Sequence, residues 1–131
     1  MEISILERGA PACASHGLEE GRTKEEALML THIVMWKVKD EAEGASKVHN
    51  LEKMRELMLA CATIVPGIHK LEVGIAAPAG PGVASTFDIV LYSVFADADA
   101  LQAYQVHPQH QALVAFVRKV TEGRQCVDYA H

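Results

Sequence analysis

Residues 29–131 predict one α+β domain of β-α-β-β-α-β order, an antiparallel sheet with its helices on one face. Three observations predict it. Thr31–Lys39 and Thr86–Phe95 are apolar on both of their alternating faces, as strands covered on two sides are. Two stretches with apolar residues at steps of three and four alternate with them. Proline and glycine punctuate the chain at Pro66-Gly67 and through Ala77–Gly82, which marks turns there.

In the first strand, Thr31–Lys39, one face carries His32, Val34, Trp36 and Val38; the other carries Thr31, Ile33 and Met35. A helix follows over Ser46–Ala62, with Val48, Leu51, Met54, Met58 and Cys61 as its apolar stripe and Glu52, Lys53, Arg55 and Glu56 mostly outside it. Packing is the simplest role for Met54 and Met58 on that stripe. Val65-Pro66-Gly67 closes the segment, because a residue before proline is pushed out of the helical region. His69–Ile75 reads as the second strand and Thr86–Phe95 as the third, with Phe87, Ile89, Leu91 and Phe95 opposite Val90, Tyr92 and Val94.

Asp97 or Asp99 caps a short helix to about Val106. Pro108 opens a further helix, where its missing N–H costs nothing. Leu113, Phe116, Val117 and Val120 point inward, Gly123 ends the helix, and Cys126–Tyr129 is the last strand. This is the ferredoxin-like, split βαβ arrangement with its second helix broken in two. Its helices cover one sheet face. The other is also apolar, and at about 25 cal/mol per Å² of buried apolar surface a second copy is its simplest cover, giving a homodimer through the sheet face.

The 131 residues suffice for one domain. The net charge is −5; residues 1–28 hold six acids against three bases, or −3, which leaves −2 for the remainder. With no Lys/Arg cluster, there is no footprint for nucleic acid or for an anionic membrane surface. No run reaches the roughly 20 apolar residues of a membrane span. The N-terminus lacks a signal-peptide pattern, and the three cysteines lack metal or redox spacing, so reduced thiols and a cytoplasmic location are expected. Residues 1–28 carry no sustained period and read as a flexible extension, or as sequence upstream of a start at Met29; Thr23 and Glu26 fit a capping box.

One run carries chemistry: Tyr104-Gln105-Val106-His107-Pro108-Gln109-His110. Tyr104 and His107 share a helix face at a spacing of three. His110 falls in the first turn of the next helix, where the dipole disfavours a cation. A neutral histidine is the form a general base needs, and a phenol beside it can donate to an oxyanion. His110 and Tyr104 are therefore the catalytic candidates, with His32, His107 and Trp36 as ligand-binding candidates. Core packing for His32 and helix capping for His107 are the structural alternatives. A metal on His107 and His110, with His32 or His69 as third ligand, is the rival chemistry. Pro108 breaks the register such a pair needs and no acid is adjacent, so no metal is assigned. There is no Gly-rich phosphate loop and no nucleophile elbow.

The opening Thr31-His32-Ile33-Val34-Met35-Trp36-Lys37, the Val65-Pro66-Gly67-Ile68 turn and the Tyr104–His110 run together resemble the stress-responsive α/β-barrel (Dabb) family over residues 29–131. That resemblance implies a ferredoxin-like subunit and a dimeric α+β barrel. The family includes a plant polyketide cyclase with a Tyr-x-x-His-Pro-x-His run. Its catalytic tyrosine and histidine match Tyr104 and His110, and its cavity histidine matches His32, which implies cyclase-type acid/base chemistry on a small aromatic or polyketide-like ligand with no cofactor. After the motif, Gln111-Ala112-Leu113-Val114 departs from the cyclase, which carries glycine there. Two rival readings stand beside it: a non-catalytic stress-response homodimer, and a haem- or quinone-linked oxygenase of the same superfamily.

Overall fold

The computed structural model describes residues 28–131. The readings of residues 1–27, including the capping box, lie outside the described residues. Strand β1 (Leu30–Val38) is followed by a two-residue hairpin, β2 (Glu41–Ala42) and β3 (Ala45–Ser46), then helix α1 (Lys47–Leu59) and strands β4 (Ile68–Ile75) and β5 (Ile89–Phe95). Helices α2 (Ala98–Val106) and α3 (Pro108–Val120) lead to β6 (Thr121–Ala130). The sheet order is β4-β5-β1-β6 and every pairing is antiparallel.

Register fixes the two faces. His32, Val34 and Trp36 oppose Ser93, Leu91 and Ile89 on one side and Asp128, Cys126 and Arg124 on the other. These residues share one pleat face, which α1, α2 and α3 cover. Val34, Met54, Met58, Leu91, Phe95 and Val120 form the heart of the core. Ile33, Met35, Val90, Tyr92, Val94 and Val127 occupy the opposite face by the same alternation. Met35 is 36% and Val127 52% exposed.

Local chemistry places the helices. Ser46 caps α1, its side chain accepting from the His49 N–H. Asp97 caps α2 through the Ala100 N–H at 2.8 Å. Gly67 adopts φ +92, and a Cβ there would lie 2.9 Å from the Ala100 Cβ. Its carbonyl accepts the Ala96 N–H at 2.8 Å, so this turn ties the start of β4 to the start of α2.

Several boundaries differ from the sequence expectation. The hairpin before α1 turns through Glu43 and Gly44, both at positive φ. Val48 is 70% exposed and Asn50 is buried instead, its Nδ2 donating to the Ala42 carbonyl at 3.1 Å; a short polar side chain satisfied by the hairpin replaces an expected apolar one. The third strand starts at Ile89, and the last is ten residues long. Gly123 does not end α3: the helix stops at Val120, and Gly123 sits within β6 opposite Lys37.

Candidate functional site

The break between α2 and α3 builds the first half of the site. His107 is the N-cap of α3, and its Nδ1 accepts the Gln109 N–H at 3.0 Å. The amide that would have continued α2 onto the Gln105 carbonyl is thereby diverted. An orphan carbonyl at a helix end needs another donor, and Gln105 O accepts from His110 Nδ1 at 3.1 Å and Gln111 Nε2 at 2.7 Å. A carbonyl only accepts, so His110 Nδ1 carries the hydrogen and Nε2 of the neutral ring holds the lone pair.

The His110 ring centroid lies 4.5 Å from that of Tyr104, the planes tilted by 50°. Burial depresses the His110 pKa to about 4; the Gln105 bond opposes this, and the charges of His32, Arg124 and His107 add to it. The ring is neutral at physiological pH. The sequence expected neutrality from the helix dipole, whereas desolvation is the larger cause. Tyr104 is fully buried, and its phenol is pushed well above its ordinary range, first by burial and then by Cys61. Its hydroxyl finds no hydrogen-bond partner among the described residues. Buried hydroxyls usually have one, so this donor is unspent among the described residues.

The sheet supplies the second half. Phe95 links the two, with its ring 5.2 Å from Tyr104 and 6.3 Å from His32. His32 is 4% exposed, and its Nδ1 lies 2.6 Å from Asp128 Oδ1 across the β1–β6 pairing. The sequence reading missed Asp128. The available signal was its place in the last strand, which this topology sets beside the first, with its side chain on the inward alternation.

The structure thus brings Tyr104, His110 and, through Phe95, His32 together. Trp36 lies in the core, four residues along β1 from His32, or about 13 Å at ~3.3 Å per residue. His107 acts as a cap. His131 pairs its Nε2 with Thr31 Oγ1 at 2.5 Å.

Cys61 is a buried free thiol, and burial raises its pKa. His32, Cys126 and Asp128 place one donor atom each within 4.8 Å of one another. His32 Nδ1 and Asp128 Oδ1 are already engaged with each other at 2.6 Å, so this trio is not assigned as a metal centre. A separate groove of about 580 Å³ opens at the far end of the sheet, lined by Met35, Gly74, Ala84, Phe87 and Val90 among others. It includes none of the candidate residues. Among the described residues, no helix is long and apolar enough to cross a membrane.

The profile of the stress responsive A/B barrel domain (Dabb) matches residues 30–131. The chain belongs to this family. Solved structures share the fold. A dimeric protein of unknown function with a ferredoxin-like fold from Bacteroides fragilis is 33% identical; the match covers 79% of this chain and 96% of that one, with a TM-score of 0.66. The hydroxynitrile lyase of Passiflora edulis is 15% identical over 80% of this chain and 94% of its own, TM-score 0.66. SnoaB, a cofactor-independent oxygenase from Streptomyces nogalater, is 15% identical with the same coverages and a TM-score of 0.61. At that identity the last two likenesses are of fold alone. No curated protein matches the sequence significantly.

Proposed function

We propose that this Dabb protein is a homodimer that binds a small carbonyl compound, aromatic or polyketide-like, between its sheet and helices, and acts on it by cofactor-free acid/base chemistry. His110 is the base and Tyr104 the carbonyl partner. The observation that carries the reading is the buried Tyr104 hydroxyl, without a hydrogen-bond partner among the described residues, beside a histidine held neutral with Nε2 as its lone-pair atom. In the step this supports, a proton on the carbon next to the carbonyl passes to His110 Nε2. The electron pair of the broken C–H bond forms the C=C bond of the enolate while the carbonyl π pair moves onto the oxygen, where the Tyr104 O–H donates to it. His32 borders the site from the sheet; His107 and Trp36 keep structural roles as helix cap and core residue.

The homodimer rests on the apolar outer sheet face. Ile33, Met35, Tyr92 and Val127 lie there with no helix of the described residues over them, and a contiguous apolar face of this kind marks an interface. The Bacteroides fragilis relative is described as dimeric. The same face also favours a second reading, in which the stable dimer is itself the function and no ligand is turned over.

Exchange of α-protons for deuterium separates the two. In D2O, acetylacetone or 2,4-dihydroxyacetophenone is expected to exchange faster with wild type than with His110→Ala, both proteins remaining dimeric. Equal rates with the two proteins leave the structural dimer as the function.

A further inference from the structure

We propose that Asp128 is a positioning residue that sets His32 as a second proton acceptor of the site, its Nε2 complementing that of His110. This rests on the reading of the Tyr104–His110 region as a ligand site.

The geometry begins with register. His32 and Asp128 are direct cross-strand partners on the helix-facing side of the sheet. Their side chains are 5% and 0% exposed, and the Nδ1–Oδ1 separation of 2.6 Å is that of a charge-assisted hydrogen bond. Enclosing a carboxylate costs several kcal/mol unless it is paired, and an apolar pair of similar volume commonly packs as well. Packing alone therefore gives no reason for a His–Asp pair between Leu30 and Val34 in a core strand.

The pair has one definite chemical consequence. An ionised carboxylate accepts only, so Nδ1 is the N–H end of His32, and in the neutral ring Nε2 is the lone-pair end. A carboxylate holding an imidazole in this way fixes both its tautomer and its orientation. The ring is anchored on the β6 side, and its edge meets Phe95, whose other contact is Tyr104. His32 is also near enough for its charge to depress the pKa of His110. Two imidazoles, each with Nδ1 tied back to the protein, thus lie around the Phe95–Tyr104 pair: His110 against Tyr104, held by a backbone carbonyl, and His32 against Phe95, held by a carboxylate. A site so built accepts from two donors on one ligand, as a molecule bearing two hydroxyl or enol groups provides.

Long-range 1H–15N NMR of the histidine side chains tests this on the intact chain without any ligand. At a pH where the same spectra show His32 neutral, wild type is expected to show it as the Nδ1–H tautomer. Asp128→Asn is expected to move His32 towards Nε2–H, because an amide can donate to Nδ1, and Asp128→Glu to restore the wild-type pattern. A wild-type His32 in the Nε2–H form, or an unchanged tautomer in a folded Asp128→Asn protein, overturns the proposal. If Asp128→Asn does not fold, the wild-type spectrum decides alone. Because no ligand is present, failure here is distinct from failure of the acid/base reading, which α-proton exchange measures.

Discussion

The Tyr104 and His110 rings lie 4.5 Å apart, one ending in a buried hydroxyl with no hydrogen-bond partner among the described residues and the other anchored to the Gln105 carbonyl. That pairing follows from a single break in a helix. Pro108 and the His107 cap stop α2 from continuing, which frees Gln105 O and turns His110 back onto Tyr104.

Tyr104→Phe is expected to separate stability from function. A buried polar group without a partner costs about 1–3 kcal/mol, so deleting the hydroxyl while keeping the ring leaves the protein as stable as wild type or more so, by about 1 kcal/mol. Loss of the oxyanion donor is expected to slow α-proton exchange by about 10²-fold. Thermal unfolding and the exchange rate check the two halves. A clear loss of stability shows that the hydroxyl already has a structural partner.

His110 makes stability depend on pH with a definite sign. Its folded pKa of about 4 lies below the ordinary 6.5. Between those values the unfolded chain holds more protons on this group, so its contribution to stability falls as pH drops from about 6.5 to about 4. The slope is at most about 1.4 kcal/mol per pH unit. Urea unfolding at pH 7 and pH 5 is expected to show a larger acid loss for wild type than for His110→Ala. Equal losses contradict a buried, neutral His110.

Much of the fold was legible because strand alternation and helical steps of three and four are dictated by burial. The two-faced apolar strands and the Pro66-Gly67 turn located the sheet, and Pro108 located the helix break. Legibility failed where tertiary partners decide. Nothing local distinguishes Val48 from Asn50 until the Ala42 carbonyl is placed above the helix. Thr121–Gln125 is too polar to read as strand, and pairing with β1 makes it one. Tyr104 and His110 were readable because one motif carries both. Asp128 was not, because its partner is 96 residues away in sequence.

Gly67→Ala is expected to destabilise by about 1–2 kcal/mol, since an L side chain in the left-handed region is strained by that amount. The new methyl group also meets Ala100 at 2.9 Å. Chemical denaturation measures this. A neutral effect means that the turn does not fix α2 against the sheet.

On the outer sheet face, Val127→Arg is expected to convert a dimer into a monomer while circular dichroism stays the same. Val127 is 52% exposed in the single chain, so the folded protomer tolerates the charge, and a symmetric interface would bring two of them together. Light scattering at micromolar concentration reads the mass. A wild-type protein that is already monomeric removes the dimer from the account.

The most direct test of the central claim is a thermal-shift screen of small aromatic and β-keto compounds against wild type, Tyr104→Phe and His110→Ala. The account predicts compounds that raise the melting temperature of wild type, raise that of Tyr104→Phe less, and leave His110→Ala unmoved. Equal shifts in all three proteins would place the ligand elsewhere and contradict a Tyr104–His110 site.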